Sequence, residues 1–269
     1  MQYIILDMEW NQPWPGSYSA KKALPSPLRG EIVQIGAVRM TQDQQVADEF
    51  QILIRPKYFK KMNRKVASLT GIRDSVLREK GVSFPEAAAK FQTWCGEACV
   101  FLTWGFDDIT VLRENLAVFG LADGWTARWY NAQLIFNAQT DGSGAQKALS
   151  TAMQMMDIEP TRAAHDALGD AYHTALVCQR LRLAEGIAAY YKDGATVSVH
   201  ALNEPLPENG LYSNALSSSD RMELYLTVNA AGDQMMLISL FDNLGKGSSG
   251  AAVQCMNLML GMNEVEGLE

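Results

Sequence analysis

The chain has 269 residues, 48% hydrophobic and 20% charged, with a net charge of −7 and an isoelectric point near 5.1. That balance is ordinary for a soluble globular protein with room for one large domain and a smaller companion. It argues against a protein that coats nucleic acid non-specifically, but leaves room for an enzyme that meets nucleic acid through metal ions. With no bilayer-length apolar run and no N-terminal leader pattern, the expected location is cytoplasmic, with no membrane partner.

In chain order, residues 3–9 read as a strand built on Tyr3-Ile4-Ile5-Leu6 and ending in Asp7-Met8-Glu9. Residues 31–40 and 46–55 read as the second and third strands. Between the first two lies a long Pro/Gly/Ser-rich loop containing Pro13, Pro15, Gly16, Pro25, Pro27 and Gly30. A basic stretch over residues 57–65 carries Lys57, Lys60, Lys61, Arg64 and Lys65, followed by Leu69-Thr70-Gly71-Ile72. Ser83 caps a helix that runs to about Gly96, with Pro85 in its first turn. A buried strand over 98–104 leads into a helix over 109–119, opened and capped by Asp107 or Asp108. A strand over 125–131, a helix over 145–156 and a long helix over 166–185 follow. Three strands and then alternating helices and strands predict an α/β domain on a mixed sheet.

After Gly186 the pattern changes to short strands over 196–202, 223–228 and 235–241, a Gly/Ser-rich loop over 245–250 and an apolar helix over 251–260. A boundary is placed near 190–195, giving a domain over 1–190 and a small α+β segment over 191–269. The four cysteines, Cys95, Cys99, Cys178 and Cys255, form no Cys-x-x-Cys pair and read as reduced thiols.

On a strand, residues i and i+2 share a face, so Asp7 and Glu9 aim at one spot. Such a pair is costly unless a cation sits between the charges, and by itself it is also compatible with a strand running out into solvent. Asp107 and Asp108 follow a buried strand at its C-terminal end, where α/β sheets place their sites. His165 and Asp170 are five apart, about 140° on a regular helix. They converge only if His165 precedes the helix, with Asp166 as N-cap. Asp7, Glu9, Asp108 and Asp170 thus form a set of hard oxygen ligands that selects Mg²⁺ or Mn²⁺ over zinc, and two such ions would clamp a phosphodiester.

These motifs, Asp7-Met8-Glu9, Leu69-Thr70-Gly71-Ile72, Trp104-Gly105-x-x-Asp108 and His165-x4-Asp170 with Ala171 and Thr174-Ala175, occur in the order and spacing of a known family. Over residues 1–185 the chain resembles the DEDDh-type 3′–5′ exonucleases of the RNase H-like superfamily, and among them the RNA 3′-end-trimming subgroup. The resemblance implies a mixed five-stranded sheet flanked by helices. It implies two metal ions on Asp7, Glu9, Asp108 and Asp170, with His165 as general base and Asp107 as the less suitable ligand. It implies a substrate of single-stranded RNA or DNA 3′ ends, released as nucleoside 5′-monophosphates, with Met8, Leu69 and Thr70 beside the terminal nucleotide. Many relatives carry Thr after the Glu where this chain has Trp10. Trp10 is expected either to pack against the terminal base or sugar or to serve as a core aromatic. Lys60, Lys61 and Arg64 are the expected phosphate contacts, with a solvated surface run as the alternative.

The stretch from Phe241 to Gly261 resembles the C-terminal end of N-acetyl-gamma-glutamyl-phosphate reductase. No Gly-x-Gly-x-x-Gly follows a strand and no earlier region matches that family's catalytic segments, so no dinucleotide cofactor is expected. The segment reads as a fused fragment kept for packing or for pairing two copies of the chain. The reading carried forward is a metal-dependent 3′–5′ exonuclease. The alternative is a non-catalytic nucleic-acid-binding or scaffold protein that retains the fold.

Overall fold

In the computed structural model, which describes residues 2–14, 23–141, 147–189, 193–194, 197–205, 216, 221–260 and 267–268, the N-terminal apolar run forms β1 (Gln2–Asn11). Pro15 and Gly16 of the loop, residues 145–146 of an expected helix, residues 190–192 at the expected boundary and Thr196 lie outside the described residues. The chain divides into two compact units, residues 1–136 with 147–181 and residues 137–146 with 182–269.

In the first unit β1 pairs antiparallel with β2 (Glu31–Met40), and β2 antiparallel with β3 (Val46–Leu53). Next in sequence are α1 (Arg64–Thr70), α2 (Asp74–Lys80) and α3 (Phe84–Cys95). On its other edge β1 pairs parallel with β4 (Cys99–Thr103). After α4 (Asp107–Val118), the parallel strand β5 (Trp129–Asn131) completes the sheet in the order β3-β2-β1-β4-β5. The chain continues through α5 (Ala132–Gln139), α6 (Leu149–Met155) and α7 (Ala167–Gln179). The expected mixed five-stranded sheet flanked by helices is present.

Helices cover both faces, which is why β2 is buried along almost its whole length. On one face Ile4, Leu6, Ile35, Phe84, Phe91, Phe101 and Leu112 form the main core. Helix α3 enters it with Phe84, Ala87, Ala88, Phe91 and Cys95 as a helical stripe. Its start is capped by Ser83, whose Oγ accepts the Glu86 N–H, and it ends at Gly96 with φ +72°.

On the opposite face α7 lies across β2, β1 and β3 with small side chains, Ala167, Ala171 and Ala175. Gly36 of β2, opposite Asp7 in register, makes this approach possible. A Cβ there would lie 2.1 Å from both the Ala167 carbonyl carbon and the Leu168 nitrogen.

Several elements differ from the sequence expectation. Only Trp129–Asn131 of the expected strand 125–131 is extended; a 3₁₀ turn at Gly124–Thr126 takes the rest, with Thr126 Oγ1 donating to the Asp123 carbonyl. The long final helix stops at Gln179, and a separate helix, α8 (Leu183–Ala189), follows in the second unit. Helices α1, α2 and α5 were not anticipated.

The second unit carries a four-stranded sheet, β6 (Asp193–Gly194), β7 (Val197–Val199), β8 (Met222–Val228) and β9 (Met235–Phe241), in that order. The expected loop at 245–250 is instead a π-helical turn, Gly245–Ser249, running into α9 (Gly250–Leu260).

Gly36→Ala should force α7 off the sheet, since the obstructing atoms are backbone. The expected cost is about 1–3 kcal/mol, as for overpacked sites, seen as a Tm loss of about 2–4 °C per kcal/mol in thermal unfolding. An unchanged Tm would show that the close approach is not required.

Candidate active site

Asp7 and Glu9 are both half-buried on β1, opposite Gly36 and Gln34, while Met8 between them turns into the core. The β1–β2 register shifts between Glu9 and Trp10, so the pleat is interrupted immediately after the acidic pair. Trp10 packs against the main core and directly over Gly30, where a Cβ would fall 2.2 Å from the indole. It also lines a small cavity of about 200 Å³ with Met8, Glu9, Val66 and Leu69. Of the predicted substrate residues, Leu69 is exposed at this cavity. Thr70 is turned inward at the end of α1, donating to the Val66 carbonyl at 3.0 Å and accepting the Ile72 N–H at 3.1 Å.

Asp108 arrives from the parallel strand β4. Gly105, at φ +111°, reverses the chain in a conformation open to glycine, and its N–H donates to Asn131 Oδ1 at 3.1 Å. Asp108 then sits in the first turn of α4, 6% exposed, with Oδ1 accepting the Met8 N–H at 2.9 Å. The bond lands on the residue between Asp7 and Glu9, so it fixes the helix against the acidic pair. Asp107 points away and is bridged to Arg29 at 3.3 Å. Neither acid caps α4, contrary to expectation; its N-cap position is Phe106.

The third contribution comes from the start of α7. Asp166 is the N-cap, accepting the Gly169 N–H at 3.1 Å. Its other oxygen accepts amide N–H bonds from Gln34 at 2.7 Å and Gln51 at 3.1 Å, and Gln34 Oε1 accepts the Ala167 N–H. His165 therefore stands ahead of the helix, at φ +59°, and its N–H donates to Asp170 Oδ2 at 2.8 Å. The outcome is convergence: donor atoms of Glu9, His165 and Asp170 all lie within 4.8 Å of one another. His173, one helical turn on from Asp170, is buried and accepts the Thr161 and Arg162 N–H groups, which is a structural role.

Two anchors were missed from sequence. Asn11 donates to the Phe59 and Lys61 carbonyls at 2.7 and 3.0 Å and accepts the Asn63 N–H at 2.8 Å. Glu31, 1% exposed, accepts the N–H groups of Lys57, Tyr58 and Phe59. Together they hold the basic stretch, whose Lys60, Lys61 and Arg64 are exposed. The available signal was a polar residue at the end of a largely buried strand.

The sequence profile of the RNase_T exonuclease family matches residues 23–178, a span that includes Asp108, His165 and Asp170. The chain belongs to this exonuclease family. Among solved structures, the nuclease domain of 3′hExo, a DEDDh family member bound to rAMP, is 19% identical with a TM-score of 0.59, covering 69% of this chain and 93% of that one. Exonuclease I of E. coli in complex with a dA16 oligonucleotide is 16% identical with a TM-score of 0.52, covering 71% and 43%. These likenesses establish the RNase H-like exonuclease fold. The C-terminal part is similar to N-acetyl-gamma-glutamyl-phosphate reductase of Burkholderia orbicola (strain MC0-3), 44% identical over 80 residues, which is 30% of this chain and 26% of that protein. The chain thus spans about a quarter of the length of the curated relatives it matches.

In this exonuclease domain the carboxylates strain against one another. Burial, then the charges of Asp108, Asp170, Glu9 and Asp166, raise the Asp7 carboxyl well above its ordinary range. Burial followed by Asp170 and Asp108 raises Glu9 to about 8. Burial raises Asp108 to about 7 despite the Met8 N–H, and burial raises Asp170 as well. A cluster of oxygen donors whose anions repel at close range fits hard divalent cations; Glu9 and Asp170 converge closely enough with His165 to hold one, and Asp7 and Asp108 lie beside them as further carboxylates that could take part.

The raised carboxyls give a signed prediction. Between about pH 4 and pH 8 the folded metal-free protein holds more protons than the unfolded chain, so its stability falls as pH rises through that window. Divalent ions must displace those protons, so the Tm gained on adding Mg²⁺ or Mn²⁺ grows over the same range. Calorimetry in chelator and in metal across this range checks both trends. Asp7→Asn should flatten the first; a chelated protein whose Tm is level with pH would refute it.

Proposed function

We propose that the chain is a metal-dependent 3′–5′ exonuclease that removes nucleoside 5′-monophosphates from the 3′ ends of single-stranded RNA or DNA. The observation that carries this reading is the convergence of Glu9, His165 and Asp170 beside Asp7 and Asp108 in a chain of the exonuclease family. The similar solved structures include one bound to rAMP, one that recognises the histone mRNA stem-loop and one in complex with a dA16 oligonucleotide, which supports a nucleic-acid end as the substrate class.

Two divalent ions on Asp7, Glu9, Asp108 and Asp170 would offset charge on the scissile phosphodiester and make a neighbouring water more acidic. His165, exposed beside Glu9 and Asp170, accepts the proton of the attacking water as the bond from phosphorus to the 3′ oxygen of the preceding nucleotide breaks, so that oxygen leaves as the new 3′ hydroxyl and the phosphate departs on the 5′ oxygen of the terminal nucleoside. Its left-handed backbone, held by Asp170 and followed by the Asp166 cap, aims the imidazole without help from a helix. Met8, Trp10, Val66 and Leu69 give the terminal nucleoside an apolar cavity with Glu9 at its edge. Lys60, Lys61 and Arg64 lie exposed on the segment leading to that cavity and would meet backbone phosphates.

End-labelled RNA and DNA oligomers incubated with Mg²⁺ or Mn²⁺ should shorten from the 3′ end. Asp7→Asn should abolish the reaction, and His165→Ala should slow it by about 10²–10⁴-fold, the usual worth of a general base. Binding without metal-dependent shortening would favour the non-catalytic alternative.

The same reading assigns residues 191–269 to a separate domain that pairs two copies of the chain. Edge strand β9 supports this, because Met235, Met236 and Leu237 are all exposed and no charge or proline guards residues 235–241. Light scattering should give twice the chain mass, falling to one chain mass on Leu237→Lys; a wild-type monomer at all concentrations would refute the pairing.

A further inference from the structure

The first unit has a second cavity, of about 510 Å³, lined by Arg55, Lys57, Lys60 and Arg78 over a floor that includes Phe84 and Phe119. Among the described residues none of these four side chains forms an ion pair. The one acid among the lining residues, Asp74, accepts the Met62 N–H with Oδ1 at 2.9 Å and keeps its charge, so the lining sets four cations against one anion. Phe119 stacks on the buried Phe84 with ring centroids 5.0 Å apart and remains half-exposed, and the Lys57 ammonium lies 5.3 Å from its centroid. Residues 55–80 hold nine Lys and Arg against two acids, in a chain whose net charge is −7. Concentrating unpaired cations round one hollow is unfavourable by itself and is offset by a polyanion.

The cavity is joined to the carboxylate site by one continuous stretch of chain. Lys60 lines the large cavity, the exposed Lys61 and Arg64 follow, and Val66 and Leu69 of α1 line the small cavity beside Glu9. That stretch is not loose. Asn11, two residues beyond Glu9 on β1, grips it at Phe59, Lys61 and Asn63, and Glu31 grips it at residues 57–59.

We propose that this cavity is a second anchor for single-stranded nucleic acid: it takes backbone phosphates several nucleotides upstream of the 3′ end on Arg55, Lys57, Lys60 and Arg78, with one base against Phe119. The proposal rests on reading the carboxylate site as the place where the 3′ end is cut. The ligand chemistry is a nucleotide phosphate beside a base, which a free mononucleotide shares, and the test separates the two sources.

Binding of fluorescent strands of about 4 and about 20 nucleotides, spanning the usual range of single-strand site sizes, is measured by anisotropy on Asp7→Asn protein, which removes hydrolysis from the readout. Adding Arg55→Ala and Arg78→Ala should weaken the long strand about tenfold and the short strand less than about twofold. The log–log salt slope for the long strand should become shallower by about 1.4, at ~0.7 for each phosphate no longer neutralised. Arg55→Lys with Arg78→Lys should restore most of the long-strand affinity, which separates lost charge from a damaged fold. An unchanged long strand, an equal loss on both lengths, or failure of the lysine pair to restore binding would overturn the anchor. Calorimetry with AMP covers the other source: AMP binding that disappears in the alanine pair while strand binding persists would assign the cavity to free nucleotides and overturn the proposal. If wild-type protein fails to shorten any strand yet shows the length-dependent loss, the exonuclease reading falls and the anchor stands.

Discussion

Asp7, Glu9, Asp108 and Asp170 are brought together by three elements that the packing of the sheet holds against one another. A β-strand, the helix after a parallel strand and the first turn of a late helix each bring a carboxylate to one corner of the sheet, and the charges acting on Asp7 and Glu9 all push their carboxyls upward. Repulsion of this kind persists only where the scaffold over-determines the geometry. Here it does so through neutral donors: the Met8 N–H on Asp108, the His165 N–H on Asp170, and the Gln34 and Gln51 amides on Asp166. Amides and N–H groups fix position without cancelling the charge, so the cluster keeps its demand for cations.

Gly36 shows how the fold serves that demand. It faces Asp7 across β1 and β2 and has no Cβ, so the backbone of Ala167 and Leu168 settles onto the sheet. The following turns of α7 use alanine at the same face, extending the close approach. His165 and Asp170 reach Glu9 because a glycine two strand positions away leaves room for a helix start.

The carboxylate constellation was legible because its chemistry is spelled in residue type and order: Asp7-x-Glu9 after an apolar run, Asp108 after a buried strand, His165 ahead of a capped helix. The long strands and α3 were legible because burial on defined faces imprints a period on the sequence. Helices α1 and α2 were not, for the same reason in reverse. α1 buries no residue and α2 only Leu77, so neither carries an apolar stripe, and α1 is set instead by the Asn63 cap and by Gly71 at φ +71°. The supporting shell was hidden for a different reason. Gln34, Gln51, Asn11 and Glu31 act through partners up to 133 positions away in sequence, and no local pattern encodes a partner at that distance.

The distribution of charge connects the two cavities to the acidic character of the chain. With residues 55–80 strongly basic and the whole chain at −7, the remainder is correspondingly acidic, so the field of the chain would repel a polyanion elsewhere and draw it to one band. That band is fastened to β1 by Asn11, on the strand that carries Asp7 and Glu9. Attraction without a fixed distance to the carboxylates would only concentrate substrate near the protein. A band hydrogen-bonded to the strand that carries the acids has a set reach to them, and under the proposed function it would turn a non-specific field into a defined path for a 3′ end.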